Sequence, residues 1–318
     1  MGTDNSPKDK AGKEVALIAG PTASGKSDVA VELALRLHDR GRDAVIINAD
    51  SMQVYADLQV VSARPTREEM RGIPHRLFGT WDGAQACSTA DWAKAAKDEI
   101  AAAHVAGAVP ILVGGTGLYL QTLLEGIAPI PEIAEDVRQR IRSASLEKVR
   151  AELAELDPVS LARIGASDTQ RLCRALEVAA STGRTLGDWQ QHKEGGIAQD
   201  IALHPLILLP DREWLYARCN ERFRWMLDNG AVEEVEALMK RGLHPDLPVM
   251  RAIGVPEIAT LDKQSRDAVE EAGGTATRQY AKRQYTWFRN QPPEWWPRER
   301  EQSSPTQLVE HHFEILLQ

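Results

Sequence analysis

Gly20-Pro-Thr-Ala-Ser-Gly-Lys-Ser27 follows the apolar run Val15–Ala19 and opens the stretch Ser27–Leu37, whose apolar residues recur at helical spacing. The octapeptide matches G-x-x-x-x-G-K-[ST] in full. It stands between a predicted strand and a predicted helix, the context that the pattern requires. Glycines let backbone N–H groups turn inward around phosphate oxygens, and the helix N-terminus adds positive potential. Lys26 supplies a point charge, and the Ser27 hydroxyl can ligate Mg²⁺. Gly20, Pro21, Thr22, Ala23, Ser24, Gly25, Lys26 and Ser27 are therefore expected to cradle a polyphosphate rather than to form an idle turn. A cradle names a ligand class, not a reaction.

Outward from this loop, strands and helices alternate. Ala44–Ile47 predicts a second buried strand, ending at Asn48 and Asp50. Ser88 or Thr89 can cap a helix that runs to about Ala106, where Gly107 stops it. Val109–Val113 predicts a third strand, ending in Gly114 and Gly115, and Leu206–Leu209 a fourth, followed by Asp211 as a helix cap. This order predicts an α/β fold: a P-loop parallel-sheet core with helices on both faces. Between about Pro129 and Asp200 the pattern is helical with no convincing strand, which predicts an α-helical insertion domain. The expected organisation is a disordered tail over 1–13, a catalytic core over 14–128 and 201–290 with C-terminal helices, and the insertion over 129–200. Residues 291–318, rich in Pro, Trp and charge, receive no assignment.

The chain has 318 residues, 43% of them hydrophobic and 26% charged, which is ordinary globular composition. Cys87, Cys173 and Cys219 are scattered, which argues against a disulfide framework or a zinc site and suits a reducing cytoplasm. No apolar run approaches the ~20 residues of a membrane helix, so no membrane partner is expected. Gly2 and Ser6 fit a short myristoylation pattern, read here as a chance match in a polar tail. The net charge of −8 runs against nucleic-acid binding but does not exclude a local basic groove.

Asp50 lies just past the second strand, on the carboxyl edge of the sheet that also carries the P-loop. A carboxylate there can hold Mg²⁺, accept from a substrate nucleophile, or merely cap a turn. Gly114-Gly-Thr-Gly117 follows the third strand on the same edge, and Thr116 can offer its hydroxyl to a phosphate or nucleotide.

Together with Asp50-Ser-Met-Gln53, Pro74-His75 and Val113–Tyr119, the P-loop resembles that of the bacterial transfer-RNA dimethylallyltransferases. The resemblance continues through Asp168–Glu177, Arg251-Ala-Ile-Gly254, Thr277–Gln284 and Trp287, and covers about residues 14 to 290 in order. It implies that the N6 amine of adenine 37, beside the anticodon, attacks C1 of dimethylallyl diphosphate and displaces diphosphate. It implies a P-loop that cradles this diphosphate with Mg²⁺ on Ser27, and catalytic roles for Lys26, Asp50, Thr116 and Arg251. It further implies contacts to the tRNA anticodon stem-loop from Asp50, Ser51, Met52, Gln53, Thr116, Arg138, Gln170, Arg171, Leu172, Cys173 and Arg174. Arg278, Lys282 and Arg283, interleaved with aromatic residues, read on their own as a solvated charged face over a buried aromatic stripe, and the resemblance turns part of this cluster toward RNA phosphates and splayed bases. A cytoplasmic monomer is the default expectation.

The sequence departs from the family's usual pattern at two places. Val255-Pro256 replace the usual Tyr after Gly254, and Val60-Val-Ser-Ala-Arg-Pro65 replaces a more usual Ile-Gly-Thr-Ala-Lys-Pro. The alternatives are a free-nucleotide, AMP-type isopentenyltransferase, a P-loop kinase, and a nucleic-acid binding module with a vestigial P-loop.

Overall fold

The computed structural model describes residues 13–318. The expected tail, with Gly2 and Ser6, falls largely outside the described residues.

The first stretch of chain forms β1 (Glu14–Ala19), α1 (Lys26–His38), β2 (Ala44–Asn48), β3 (His75–Arg76), α2 (Thr89–Val105), β4 (Val109–Gly114) and α3 (Gly117–Glu125). Then follow β5 (Gly126–Ile127), α4 (Glu135–Arg142), α5 (Leu146–Leu156), α6 (Pro158–Arg163), α7 (Thr169–Thr182), α8 (Leu186–Gln190) and β6 (Glu194–Gly195). The last stretch forms β7 (Ala202–Leu208), α9 (Arg212–Asp228), α10 (Ala231–Lys240), a 3₁₀ turn (Pro248–Arg251), α11 (Val255–Ile258) and α12 (Arg266–Asn290). It ends in β8 (Arg298–Glu299), α13 (Pro305–His312) and α14 (Glu314–Leu317). Among the described residues no helix is long and apolar enough to cross a membrane.

The chain divides into two compact units, one built from residues 13–123 and 198–318, the other from Leu124–Ile197. In the first, six strands form a sheet in the order β3-β2-β4-β1-β7-β8, every neighbouring pair parallel. Parallel pairing requires crossovers, and these bury both faces of the central strands, which explains their continuous apolar runs. Ala16, Ile18, Ile46 and Ile111 pack on one side with α1, α13 and α14. Leu17, Ile47 and Leu112 face the other way and are also buried, with α2 packed against β2 and β4. The α2 N-terminus is set by a capping box, in which the Ser88 hydroxyl accepts from Asp91 N and the Asp91 carboxylate accepts from Ser88 N.

The C-terminal segment, which had no assignment, supplies an edge strand and part of the core. β8 pairs with the end of β7, and Leu308, Val309, Phe313, Leu316 and Leu317 are buried in the same cluster as α1. Arg42 Nη1 donates to the Leu316 carbonyl at 2.6 Å, satisfying an acceptor at the C-terminus.

The second unit has its own core of Ile141, Val149, Leu153, Leu172, Cys173, Ala175 and Leu176. Glu177, 1% exposed, is neutralised by Arg142 at 2.9 Å and Arg174 at 3.5 Å. The expectation of no strand needs correction, because Glu194–Gly195 pairs antiparallel with Gly126–Ile127. A two-residue ladder next to glycines has too few side chains to leave a periodic signal.

Candidate active site

Three strand ends deliver the site. β1 stops at Ala19 and the loop Gly20–Gly25 turns back over the sheet before α1 begins at Lys26. Gly25 takes φ +88° as the residue before α1, with open space where a side chain would stand. Ala23 also has a positive φ of 63°, a conformation that an alanine holds only against strain. Lys26 Nζ donates to the Pro21 carbonyl at 2.6 Å. Burial pushes its pKa down to about 8, against the upward pull of the Asp50 carboxylate.

Thr22 to Asp28 line a cavity of about 610 Å³, with Asp50, Gln53 and His75 also on its wall. That volume is ordinary for a small-molecule site. The cavity brings together the P-loop and Asp50, which the sequence had placed on one edge of the sheet.

The turn after β2 is fixed by buried Asn48. Its side-chain amide donates to the Asp50 and Leu77 carbonyls, both at 3.0 Å, and its oxygen accepts from Asp50 N at 2.8 Å. Asp50 Oδ1 accepts from Met52 N at 2.9 Å, so this carboxylate both caps a turn and faces a cavity. Gly114 allows β4 to approach this turn, since a Cβ there would stand 2.2 Å from the Ala49 carbonyl. Thr116 Oγ1 accepts from Ser51 N at 2.9 Å and bonds to the Ser51 hydroxyl at 3.3 Å. Thr116 thus braces the Asp50 turn from behind and does not line the cavity. Tyr280, on α12, shares hydrogen bonds with Thr116 and Ser51, and burial followed by the Asp50 charge pushes its phenol up. Burial likewise lowers the His75 pKa, and its Nδ1 lies 2.8 Å from the Ile73 carbonyl.

Residues missed in the sequence complete the wall. Arg218, Glu221, Arg222, Trp225 and Met226 line the cavity as one stripe of α9. Arg218 Nε donates to the Ala23 carbonyl at 3.0 Å and Arg222 Nη1 to Thr22 Oγ1 at 3.3 Å. Burial, then Arg218, pushes the Arg222 pKa down. The signal was available, because positions 218, 222 and 225 fall on one helix face, but charges on a helix are usually solvated. Gln284 is also buried: its oxygen accepts from Thr22 N and its amide donates to the Gly115 carbonyl, both at 2.8 Å.

Other expected site residues lie apart from the cavity or are committed elsewhere. Arg251 ends the 3₁₀ turn with its side chain 65% exposed and paired with Asp246, not with the P-loop. The expectation that it meets the cradle is corrected to this extent: the guanidinium must leave Asp246 to do so. Arg278 is held by Asn220, Glu271 and Thr275. Met52 lines a smaller adjoining cavity with Thr22, Asp50, Arg222 and Tyr280. Lys282 and Arg283 are exposed on α12.

In the helical unit, Leu172 and Cys173 are 0% and 7% exposed. As side-chain contacts to RNA they are therefore corrected, because the helical period turns them into the core. Gln170, Arg171 and Arg174 of that run stay accessible, and Arg138 pairs with Glu135 at 3.2 Å.

For Mg²⁺ the donor set is the test. Among the described residues no group of three or more His, Cys, Asp or Glu could hold a metal by itself. Ser27, Asp28 and Asp50 line the cavity with hard oxygen donors, the set that suits Mg²⁺ bound through one or two protein groups and substrate phosphates. The residues fit such an ion.

Comparison with known proteins extends this geometry. The IPP transferase family model matches residues 53–291. A tRNA dimethylallyltransferase of Erythrobacter litoralis is 65% identical over 286 residues, covering 89% of this chain and 90% of that protein. The solved tRNA isopentenylpyrophosphate transferase of Bacillus halodurans superposes with a TM-score of 0.68 at 31% identity, covering 96% and 97% of the two chains. A solved eukaryotic dimethylallyltransferase acting on tRNA gives 0.74 at 28% identity, covering 87% and 70%. With a P-loop and Asp50 on one cavity and a family match across three quarters of its length, this chain belongs to the IPP transferase family.

Proposed function

We propose that this chain transfers a dimethylallyl group from dimethylallyl diphosphate to N6 of adenine 37 in transfer RNA, releasing diphosphate. The observation that carries the reading is that Lys26 and Asp50 line one cavity in a chain of this family. The family match sets aside the free-nucleotide transferase, the kinase and the binding module.

Backbone N–H groups of the P-loop and the Lys26 ammonium hold the diphosphate, with C1 of the allyl group turned toward Asp50. Arg222, on the same wall, adds a second cation. Bound Mg²⁺ would neutralise further charge on the diphosphate through Ser27. The target adenine is extruded from the anticodon loop. Its N6 lone pair forms the N6–C1 bond as the C1–O bond breaks, and the electron pair leaves on diphosphate. The N6 proton passes to the Asp50 carboxylate and then to solvent. Lys26, Arg222 and, once freed from Asp246, Arg251 gain interaction as charge builds on the leaving oxygen.

The anticodon stem-loop is held by basic side chains. Arg171 and Arg174 of the helical unit and the exposed Lys282 and Arg283 of α12 supply phosphate contacts. Arg138 and Arg278 join them once freed from Glu135 and from Asn220, Glu271 and Thr275. Gln170, Ser51, Met52 and Gln53 supply polar or packing contacts. Each lost phosphate contact lowers the salt dependence of binding, so Arg171→Ala with Arg174→Ala should flatten it. We place the protein in the cytoplasm, because its three cysteines, Cys87, Cys173 and Cys219, are all free thiols.

The test is direct. The protein is incubated with dimethylallyl diphosphate and a stem-loop carrying A36-A37-A38, and the RNA is weighed by mass spectrometry. One added five-carbon unit, lost when position 37 is guanine, supports the reading. Unmodified RNA, or γ-phosphate turnover from ATP, contradicts it.

A further inference from the structure

The cavity wall between Gln59 and Arg64 is held from outside by one carboxylate. Gln59, Val60, Ser62, Ala63 and Arg64 all line the cavity. The segment belongs to no helix or strand, and Ala63 has a positive φ of 52°. Such a segment needs outside support to keep one shape.

Glu234, on α10, provides it. Its Oε1 accepts from Gln59 N at 2.5 Å and from Val60 N at 3.0 Å, and its Oε2 accepts from Val61 N at 2.8 Å. Three successive backbone N–H groups converge on one carboxylate, the arrangement that elsewhere grips a bound anion. On the far side, Gln53 Nε2 donates to the Ser62 and Ala63 carbonyls, both at 3.0 Å. No residue of α10 lines the two cavities, so Glu234 reaches the site through the backbone of this wall and through its charge on Arg64.

We propose that Glu234 is a positioning residue that preorders the 59–64 wall for dimethylallyl diphosphate. This rests on the function proposed above. Without the carboxylate, three N–H groups turn to water and the wall samples other shapes. Only a fraction of the molecules then has a formed cavity, and the apparent dissociation constant rises by the inverse of that fraction. Once ligand is bound the wall is the same as in wild type, so the chemical step is little changed.

The experiment compares wild type, Glu234→Gln and Glu234→Ala. Dimethylallyl diphosphate binding is measured by calorimetry, transfer by steady-state kinetics, and stem-loop binding without the diphosphate. Glu234→Ala is expected to raise both Kd and KM for dimethylallyl diphosphate about 10-fold or more, with kcat within about threefold and stem-loop affinity unchanged. Glu234→Gln, which keeps one accepting oxygen but sets an NH₂ against an N–H, should fall between. Unchanged diphosphate binding in Glu234→Gln and Glu234→Ala would overturn the proposal. So would parallel losses in kcat and stem-loop affinity, which mark general damage. If Glu234→Ala fails to fold, the isosteric Glu234→Gln decides alone. Wild type that binds the diphosphate in a Glu234-dependent way but transfers nothing counts against the proposed function and not against this role.

Discussion

Gln284 and Thr22 are joined across 262 residues of sequence, the Thr22 amide donating to the Gln284 side-chain oxygen at 2.8 Å. The other end of the same side chain donates to Gly115, so α12 ties the P-loop to the turn after β4. Replacing Gln284 by Leu would leave a loop N–H and a buried carbonyl unpaired. Gln284→Leu is expected to destabilise the fold by about 1–3 kcal/mol and to weaken dimethylallyl diphosphate binding. Urea denaturation and calorimetry check the two parts separately.

Lys26 predicts a pH dependence with a definite sign. In the folded chain its ammonium loses its proton near pH 8, against 10.5 as the ordinary value. Diphosphate binding needs the charged form, so affinity in wild type should fall as pH rises through about 8. Binding at that pH should also take up protons, which calorimetry in buffers of different ionisation enthalpy detects. Between the two values the unfolded chain holds more protons than the folded one, so the Lys26 burden on stability is full below about pH 8 and fades toward 10.5. Lys26→Met should lose binding and its pH dependence without a lower Tm at neutral pH.

Arg222 and Arg251 should separate. Arg222 lines the cavity beside Thr22, whereas Arg251 is exposed and paired with Asp246. Arg222→Ala should raise the Kd for dimethylallyl diphosphate more than Arg251→Ala does. Arg251→Ala should lower turnover more than it weakens binding, because its contact is made as charge develops. Equal effects on Kd from both variants would place both side chains on the bound diphosphate.

The end of the chain carries stability. Phe313 is 1% exposed and packs in the cluster of α1 and the sheet. Phe313→Ala should cost about 3–5 kcal/mol by denaturant titration, with no change in substrate KM at a temperature where the variant stays folded.

The burial of Phe313 shows where sequence signals run out. Strands β1, β2 and β4 were legible because each is a short apolar run ended by a glycine or polar turn. That pattern also placed the P-loop, Asp50 and Thr116 on one edge. α13 and α14 were not, because short helices among proline and charge have too few residues for a periodic stripe, and their burial depends on α1. Arg218 and Arg222 were hidden for a different reason: a charge on a helix face looks the same whether it meets water or a cavity. Leu172 and Cys173 erred in the opposite sense. A motif taken whole assigned them to RNA, although helical spacing alone sends them inward.

Single-turnover transfer by Asp50→Asn, at low and high Mg²⁺, tests the central claim most directly. The substitution keeps shape and one accepting oxygen but removes the charge that takes up the N6 proton. The account predicts a rate lower by about 10²–10⁴-fold, unrescued by Mg²⁺, with affinities for dimethylallyl diphosphate and the stem-loop little changed. Rescue by Mg²⁺ would move Asp50 from the amine to the metal, and a rate near that of wild type would contradict the account and leave Asp50 as the cap of its turn.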